Sequence, residues 1–173
     1  EVHAAVTAAI AVGLPYVATC SFDTAGRTMM GLMPGNLANV FAVEPVPPLA
    51  IGANCGVGAP DILVSLLEME GCAHPLVTKG NCGVPHFEGT EIVYSGTPEL
   101  MARYAITAID GGARIVGGCC GTTPTHIAAM REAIDTHTPG ERPTVETIVE
   151  LVGALTNTAP AATVERRSRR SQG

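Results

Sequence analysis

Four short apolar runs, each closing on glycine and small polar residues, constrain the fold more than any other feature of the sequence. They are LPYVATCS (14–21), PLAIGANC (48–55), PLVTKGN (75–81) and ARIVGG (113–118). The runs are apolar throughout instead of alternating, as strands covered on both faces are. Helical signals lie before and between them. Val2, Val6 and Ile10 recur every fourth position and Gly13 follows, which predicts a helix over 2–12. Two more are predicted over about 34–42 and 60–69. Thr97 reads as an N-cap with Pro98 at the first helical position, and that helix runs through Ile109 to a stop at Gly111-Gly112. Another opens at Thr123-Pro124, with Ile127, Met130 and Ile134 on one face, and a last one covers about 143–155. The segment CGVPHFEGTEIVYSG (82–96) reads as a long loop. Strand ends near 21, 54, 80 and 118 therefore predict consecutive βα units of a parallel sheet, an α/β fold. Either an open doubly wound sheet or part of an eight-stranded βα barrel fits, and both place their sites at the C-terminal edge of the strands.

Composition narrows what such a sheet can serve. The chain has 173 residues, 46% of them apolar and 15% charged, enough for one domain with a core. A formal net charge of -6 gives no general attraction to nucleic acid or anionic lipid. The basic cluster Arg166, Arg167, Arg169 and Arg170 reads as a solvated tail, so the domain is expected over 1–157 and a disordered tail over 158–173. AAIAVGLPYVATC ends in Cys20 like an export signal, but it lacks a basic start and is broken by Gly13, Leu14 and Pro15. No run reaches the roughly 18 apolar residues of a membrane span. A cytoplasmic location is the expectation, and there the six cysteines are expected to be reduced, metal-bound or catalytic.

Three cysteines sit at strand ends among glycines: Cys55 in GANCG, and Cys119 with Cys120 in GGCCG. Strands with one neighbour between them lie about 10 Å apart, and curved loops can close that gap. The spacing leaves three readings open: buried packing thiols, a redox disulfide, or ligands of one ion. Three thiolates suit zinc, and a site with three protein ligands keeps its fourth tetrahedral position for water or substrate. His74, His86 and His126 lack ligand-type partners at helical spacing and read as surface or supporting groups. Cys20, Cys72 and Cys82 read as structural, with Cys82 beside a strand end. No G-x-G-x-x-G or Walker pattern points to phosphate.

GANCG, KGNCGVP and GARIVGGCCGTTPTHI, with SFDTAGRTMMGLMP upstream, resemble the homocysteine S-methyltransferase family over residues 1 to about 136. KGNCGVP and EIVYSGTPELMARYA are most similar to bacterial betaine-homocysteine methyltransferases. The resemblance implies a (β/α)8 TIM barrel whose zinc is held by the cysteine ending strand six and the vicinal pair ending strand eight. Carried over, the ligands are Cys55, Cys119 and Cys120, and the four runs become strands five to eight, the C-terminal half. A whole barrel takes about 250 residues, so the chain is expected to be inactive alone and to pair with a missing N-terminal half or in a homo-oligomer. The implied reaction moves a methyl group from an onium donor, glycine betaine favoured, to the thiol of homocysteine, giving methionine. S-methylmethionine or another donor is the alternative within the class, and a non-catalytic zinc or thiol-redox module the alternative outside it. No tuned acid or base is required beyond the metal site. Candidate substrate contacts are Ser21, Phe22, Asn54, Thr78 and Asn81, with Phe22, Phe87 and Tyr94 as aromatic faces for a quaternary ammonium.

Overall fold

All four apolar runs form strands, β1 (Val17–Cys20), β2 (Ala50–Cys55), β3 (Leu76–Gly80) and, after a separate hairpin, β6 (Ala113–Gly118). They pair in parallel in the order β1-β2-β3-β6. An unbroken order with right-handed crossovers puts every connecting helix on the same face of the sheet. A doubly wound sheet needs a reversal of that order, so the topology is that of a partial barrel. The computed structural model describes residues 2–83 and 85–157, and the tail expected over 158–173 lies outside them. Among the described residues no helix is long and apolar enough to cross a membrane.

The helices are α1 (Val2–Ala11), α2 (Leu37–Phe41), α3 (Ala59–Leu67), α4 (Pro98–Asp110), α5 (Pro124–Thr136) and α6 (Val145–Val152). Three boundaries differ from the sequence reading. Leu14 lies in the turn after α1, where its N–H reaches back to Ala9 O at 3.0 Å, and β1 starts only at Val17. The helix expected over 34–42 is a 3-10 turn, Pro34–Asn36, leading into the single turn of α2, whose Leu37 and Phe41 are anchored in the core. The loop expected over 82–96 contains an antiparallel hairpin, β4 (Pro85–Glu88) and β5 (Glu91–Tyr94). Gly89, at φ 66°, supplies the backbone reversal between Glu88 and Glu91. In α5, Met130 is buried and Ile134 packs on the core, but Ile127 is 46% exposed.

The core lies between the sheet and the helices. Ile51 of β2, Leu63 and Leu66 of α3, Met101 and Tyr104 of α4 and Ile148 of α6 are all essentially inaccessible. Tyr104 joins the layers: its hydroxyl accepts the Gly80 N–H at 2.8 Å and lies 2.8 Å from Thr78 Oγ1. Thr78, a candidate substrate contact in the sequence, is therefore fully buried on the helix side of β3, engaged by α4. On the opposite face no helix covers the strands among the described residues, and Val17 and Ile115 remain 49% and 45% exposed. Asp61, in the first turn of α3, accepts the N–H groups of Thr156 and Asn157 at 3.0 and 2.7 Å and fastens the end of the described chain to the helix layer.

Replacing Tyr104 with Phe keeps the ring but strands the Gly80 N–H and the Thr78 hydroxyl. The variant is expected to lose about 1 to 3 kcal/mol of stability, measurable by urea denaturation.

Candidate metal centre

The C-terminal end of β2 turns back on itself through two consecutive residues of positive φ, Cys55 at 59° and Gly56 at 74°. That region costs a non-glycine residue about 1 to 2 kcal/mol, so surrounding bonds must hold Cys55 there. The turn aims its thiol across β3 toward the end of β6. There Cys55 Sγ lies 3.7 Å from Cys120 Sγ, which is 4.0 Å from Cys119 Sγ. All three sulfurs fall within 4.8 Å of one another. Tetrahedral zinc with bonds of about 2.3 Å sets its sulfurs about 3.8 Å apart, close to the two Cys120 separations.

The strand between the two cysteine loops holds both. Cys119 N–H donates to Gly80 O at 2.8 Å and Cys82 N–H donates to Cys120 O at 2.9 Å, continuing the β3–β6 pairing past the sheet. Between them, buried Asn81 divides its amide. Its Oδ1 accepts the Cys120 N–H at 3.1 Å, and its Nδ2 donates to Gly56 O at 2.8 Å. Asn81 is thus a positioning residue for the ligand loops, and its amide is occupied before any substrate arrives. Asn81→Ala should lower zinc affinity about 10- to 100-fold while leaving circular dichroism unchanged, as measured by competition with a chromogenic chelator.

The thiols are electrostatically crowded. Burial, together with the proton Cys55 shares with Cys120, pushes the Cys55 thiol up to about 11. The same bond from Cys55 draws the Cys120 thiol down, assisted by Cys119 and Tyr94. Cys120 therefore ionises before Cys55, which holds its proton at neutral pH. Binding a cation to all three must displace that proton. Metal affinity should therefore rise about tenfold per pH unit for each proton released between roughly pH 6 and pH 8. Calorimetry in buffers of different ionisation enthalpy reads the proton count directly.

Two further groups support the loops through contacts that the sequence did not reveal. Tyr94, at the end of β5, lies over the vicinal-cysteine loop, and a Cβ on Gly121 would fall 2.2 Å from its ring. Gly121, at φ 75°, is therefore required both for the turn and for the tyrosine. The second support is Cys82, almost wholly buried, whose Sγ lies 3.1 Å from His126 Nε2 and 3.3 Å from Gly96 O. His126 Nδ1 in turn accepts the Thr123 N–H at 3.1 Å, completing a capping box at the start of α5. The T-x-x-H spacing in GTTPTHI carried a hint of that box; the contact with Cys82, 44 positions away, had no local signal.

The remaining candidates divide. Ser21 and Asn54 meet at the ends of β1 and β2, where Ser21 Oγ donates to Asn54 O at 3.1 Å and Asn54 Nδ2 reaches Ser21 Oγ at 3.4 Å. Both are half-buried beside the cysteine edge. Phe22, in contrast, is 4% exposed and belongs to the hydrophobic core, so its ring offers no face to a cation. Phe87 is 76% exposed on the hairpin. Of the three aromatic candidates, Tyr94 alone stands beside the sulfurs. His86 pairs with Glu88 at 3.2 Å on the hairpin and takes no part in the cluster.

Comparison with known proteins bears on the family and the fold. The family model for homocysteine S-methyltransferase matches residues 1–134. Among solved structures, the metallated form of the homocysteine methyltransferase MmuM from Escherichia coli superposes with a TM-score of 0.59 at 23% identity, covering 76% of this chain and 40% of that one. Its apo form matches with the same score and identity over 44% of its length. The chain thus spans less than half of the solved relatives it matches.

Proposed function

The chain belongs to the homocysteine S-methyltransferase family, and on that premise we propose that it supplies the metal-binding part of a zinc-dependent enzyme that methylates homocysteine to methionine. The observation that carries the proposal is the convergence of Cys55, Cys119 and Cys120 at the C-terminal edge of a parallel sheet, with spacing suited to a tetrahedral ion. The four parallel strands are read as strands five to eight of a (β/α)8 barrel. Their uncovered face is where an N-terminal half, or a second copy, would complete the site. All six cysteines are free thiols, which suits the reducing cytoplasm proposed as its location.

Zinc at this site would lower the pKa of an incoming thiol so that it is a thiolate at neutral pH. The protein's own residues do the rest. Cys55 and the vicinal pair furnish three negative sulfurs, which keep a fourth sulfur electron-rich. Asn81 fixes the two loops relative to one another, so a substrate thiol would meet the three sulfurs in one arrangement, which favours one attack geometry. In the transfer an S–CH3 bond forms as the donor's onium–CH3 bond breaks. The electron pair stays on the departing amine or sulfide, and no residue has to deliver a proton to it.

Glycine betaine is the favoured donor. The segments KGNCGVP and EIVYSGTPELMARYA, most similar to bacterial betaine-homocysteine methyltransferases, support that choice, and the second of them contains Tyr94. The Tyr94 ring, next to Cys120, offers the aromatic face a quaternary ammonium favours. Ser21 and Asn54 are the polar groups of this chain proposed to contact substrate.

The test uses the cobalt-loaded protein, whose thiolate-to-metal absorption reports a fourth sulfur. Homocysteine should shift that band while methionine, lacking an ionisable thiol, should not. Cys120→Ser should lose the band and the response together. Labelled methyl transfer from glycine betaine, S-methylmethionine and dimethylsulfoniopropionate, with and without the N-terminal half, identifies the donor. A protein that binds no metal under reducing conditions and instead forms a Cys119–Cys120 disulfide would overturn the proposal.

A further inference from the structure

We propose that Lys79 recognises the carboxylate of a substrate held at the metal centre, an inference that rests on the methyltransferase reading above. Thr78 and Gly80 both meet Tyr104 of α4, so strand alternation sends Lys79 to the face that no helix covers. Its stem crosses bare backbone on the neighbouring strand: Lys79 Cγ lies 3.5 Å from where a Cβ on Gly117 would sit. Register places it level with the metal site. Lys79 pairs with Asn54 and Gly117, and the next rung pairs Gly80 with Cys55 and Gly118. Lys79 is thus one residue, about 3.3 Å, below the cysteine edge on the side facing the open cleft.

The charge at this position has no counterpart. The four parallel strands carry two charged residues, Lys79 and Arg114, and Arg114 is exposed on the edge strand β6. Lys79 is half-buried and, among the described residues, makes no hydrogen bond or ion pair. An ammonium without a partner on the protein is available to a ligand anion, with which it can form charge-assisted hydrogen bonds. The reach also agrees. In homocysteine four bonds, about 5 Å, separate the sulfur from the carboxylate carbon, so a thiol at the cysteine trio brings its carboxylate within range of a lysine one rung away. Glycine betaine carries the same group, so the carboxylate could belong to acceptor or donor.

Calorimetric titration of the zinc-loaded protein decides. The ligands are two matched pairs: homocysteine with 3-aminopropane-1-thiol, and glycine betaine with choline, the second of each pair lacking the carboxylate. Lys79→Ala should weaken homocysteine about tenfold and leave 3-aminopropane-1-thiol within about twofold if the acceptor's carboxylate is bound. The same selective loss within the betaine and choline pair would place the donor's carboxylate there. Lys79→Arg should recover most of the affinity, and zinc content should match the wild type throughout. Equal losses within both pairs, or no loss in either, would overturn the role of Lys79 while leaving the methyltransferase reading intact. Failure of the zinc-loaded wild type to bind either thiol would instead remove the reading and this inference with it.

Discussion

One side-chain amide determines whether the cysteines of this protein form a site. Asn81 sits between the turn after β2 and the turn after β6 and hydrogen-bonds both, to Gly56 O and from Cys120 N–H. Without those bonds Cys55 would be free to leave its positive-φ conformation, and the vicinal pair would be tied to the sheet only through Cys119 and the Cys82 backbone. The arrangement is economical because the central strand is also the one fastened to the helix layer through Tyr104. Core packing is thereby transmitted to the ligand loops through a few rigid connections, in the way a functional group set on strands is held more tightly than one set on loops.

The strands and their order were legible because fully covered parallel strands are written as unbroken apolar runs, and the glycine-bracketed cysteines marked where they end. The convergence of Cys55, Cys119 and Cys120 was legible for the same reason, with the family resemblance choosing among the alternatives. Which face a residue occupies was not. An apolar run such as PLVTKGN has no alternation, so nothing in it distinguished Thr78, turned toward Tyr104, from Lys79, turned away. Phe22 follows β1 like a site residue, yet its ring packs into the core. The β4–β5 hairpin had no such signal because its strands, PHFE and EIVY, are short, mix charged with apolar residues and leave Phe87 and Ile92 exposed. The contact of Cys82 with His126 joins distant segments and has no expression in local sequence.

The sheet is strongly asymmetric. One face carries nearly all the core, and the other presents valine, isoleucine, asparagine and lysine with no helix above them. In a barrel such a face is interior, and side chains of the remaining strands fill it. The polar residues that interrupt it, Asn54 and Lys79, lie near the cysteine end, where a barrel opens to substrate. The candidate site is therefore confined to one rim, while the rest of the face has the character of packing surface.

The positions of the sulfurs carry a consequence for the stability of the protein. Cys55 and Cys120 lie 65 residues apart, so an ion gripping both closes more than a third of the chain into a ring. In an unfolded polypeptide a crosslink of that span removes conformational freedom equivalent to about 4 kcal/mol, comparable to much of the stability of a modest domain. A metal bound there would then hold the fold together as well as occupy the site, and the metal-free chain would open more often.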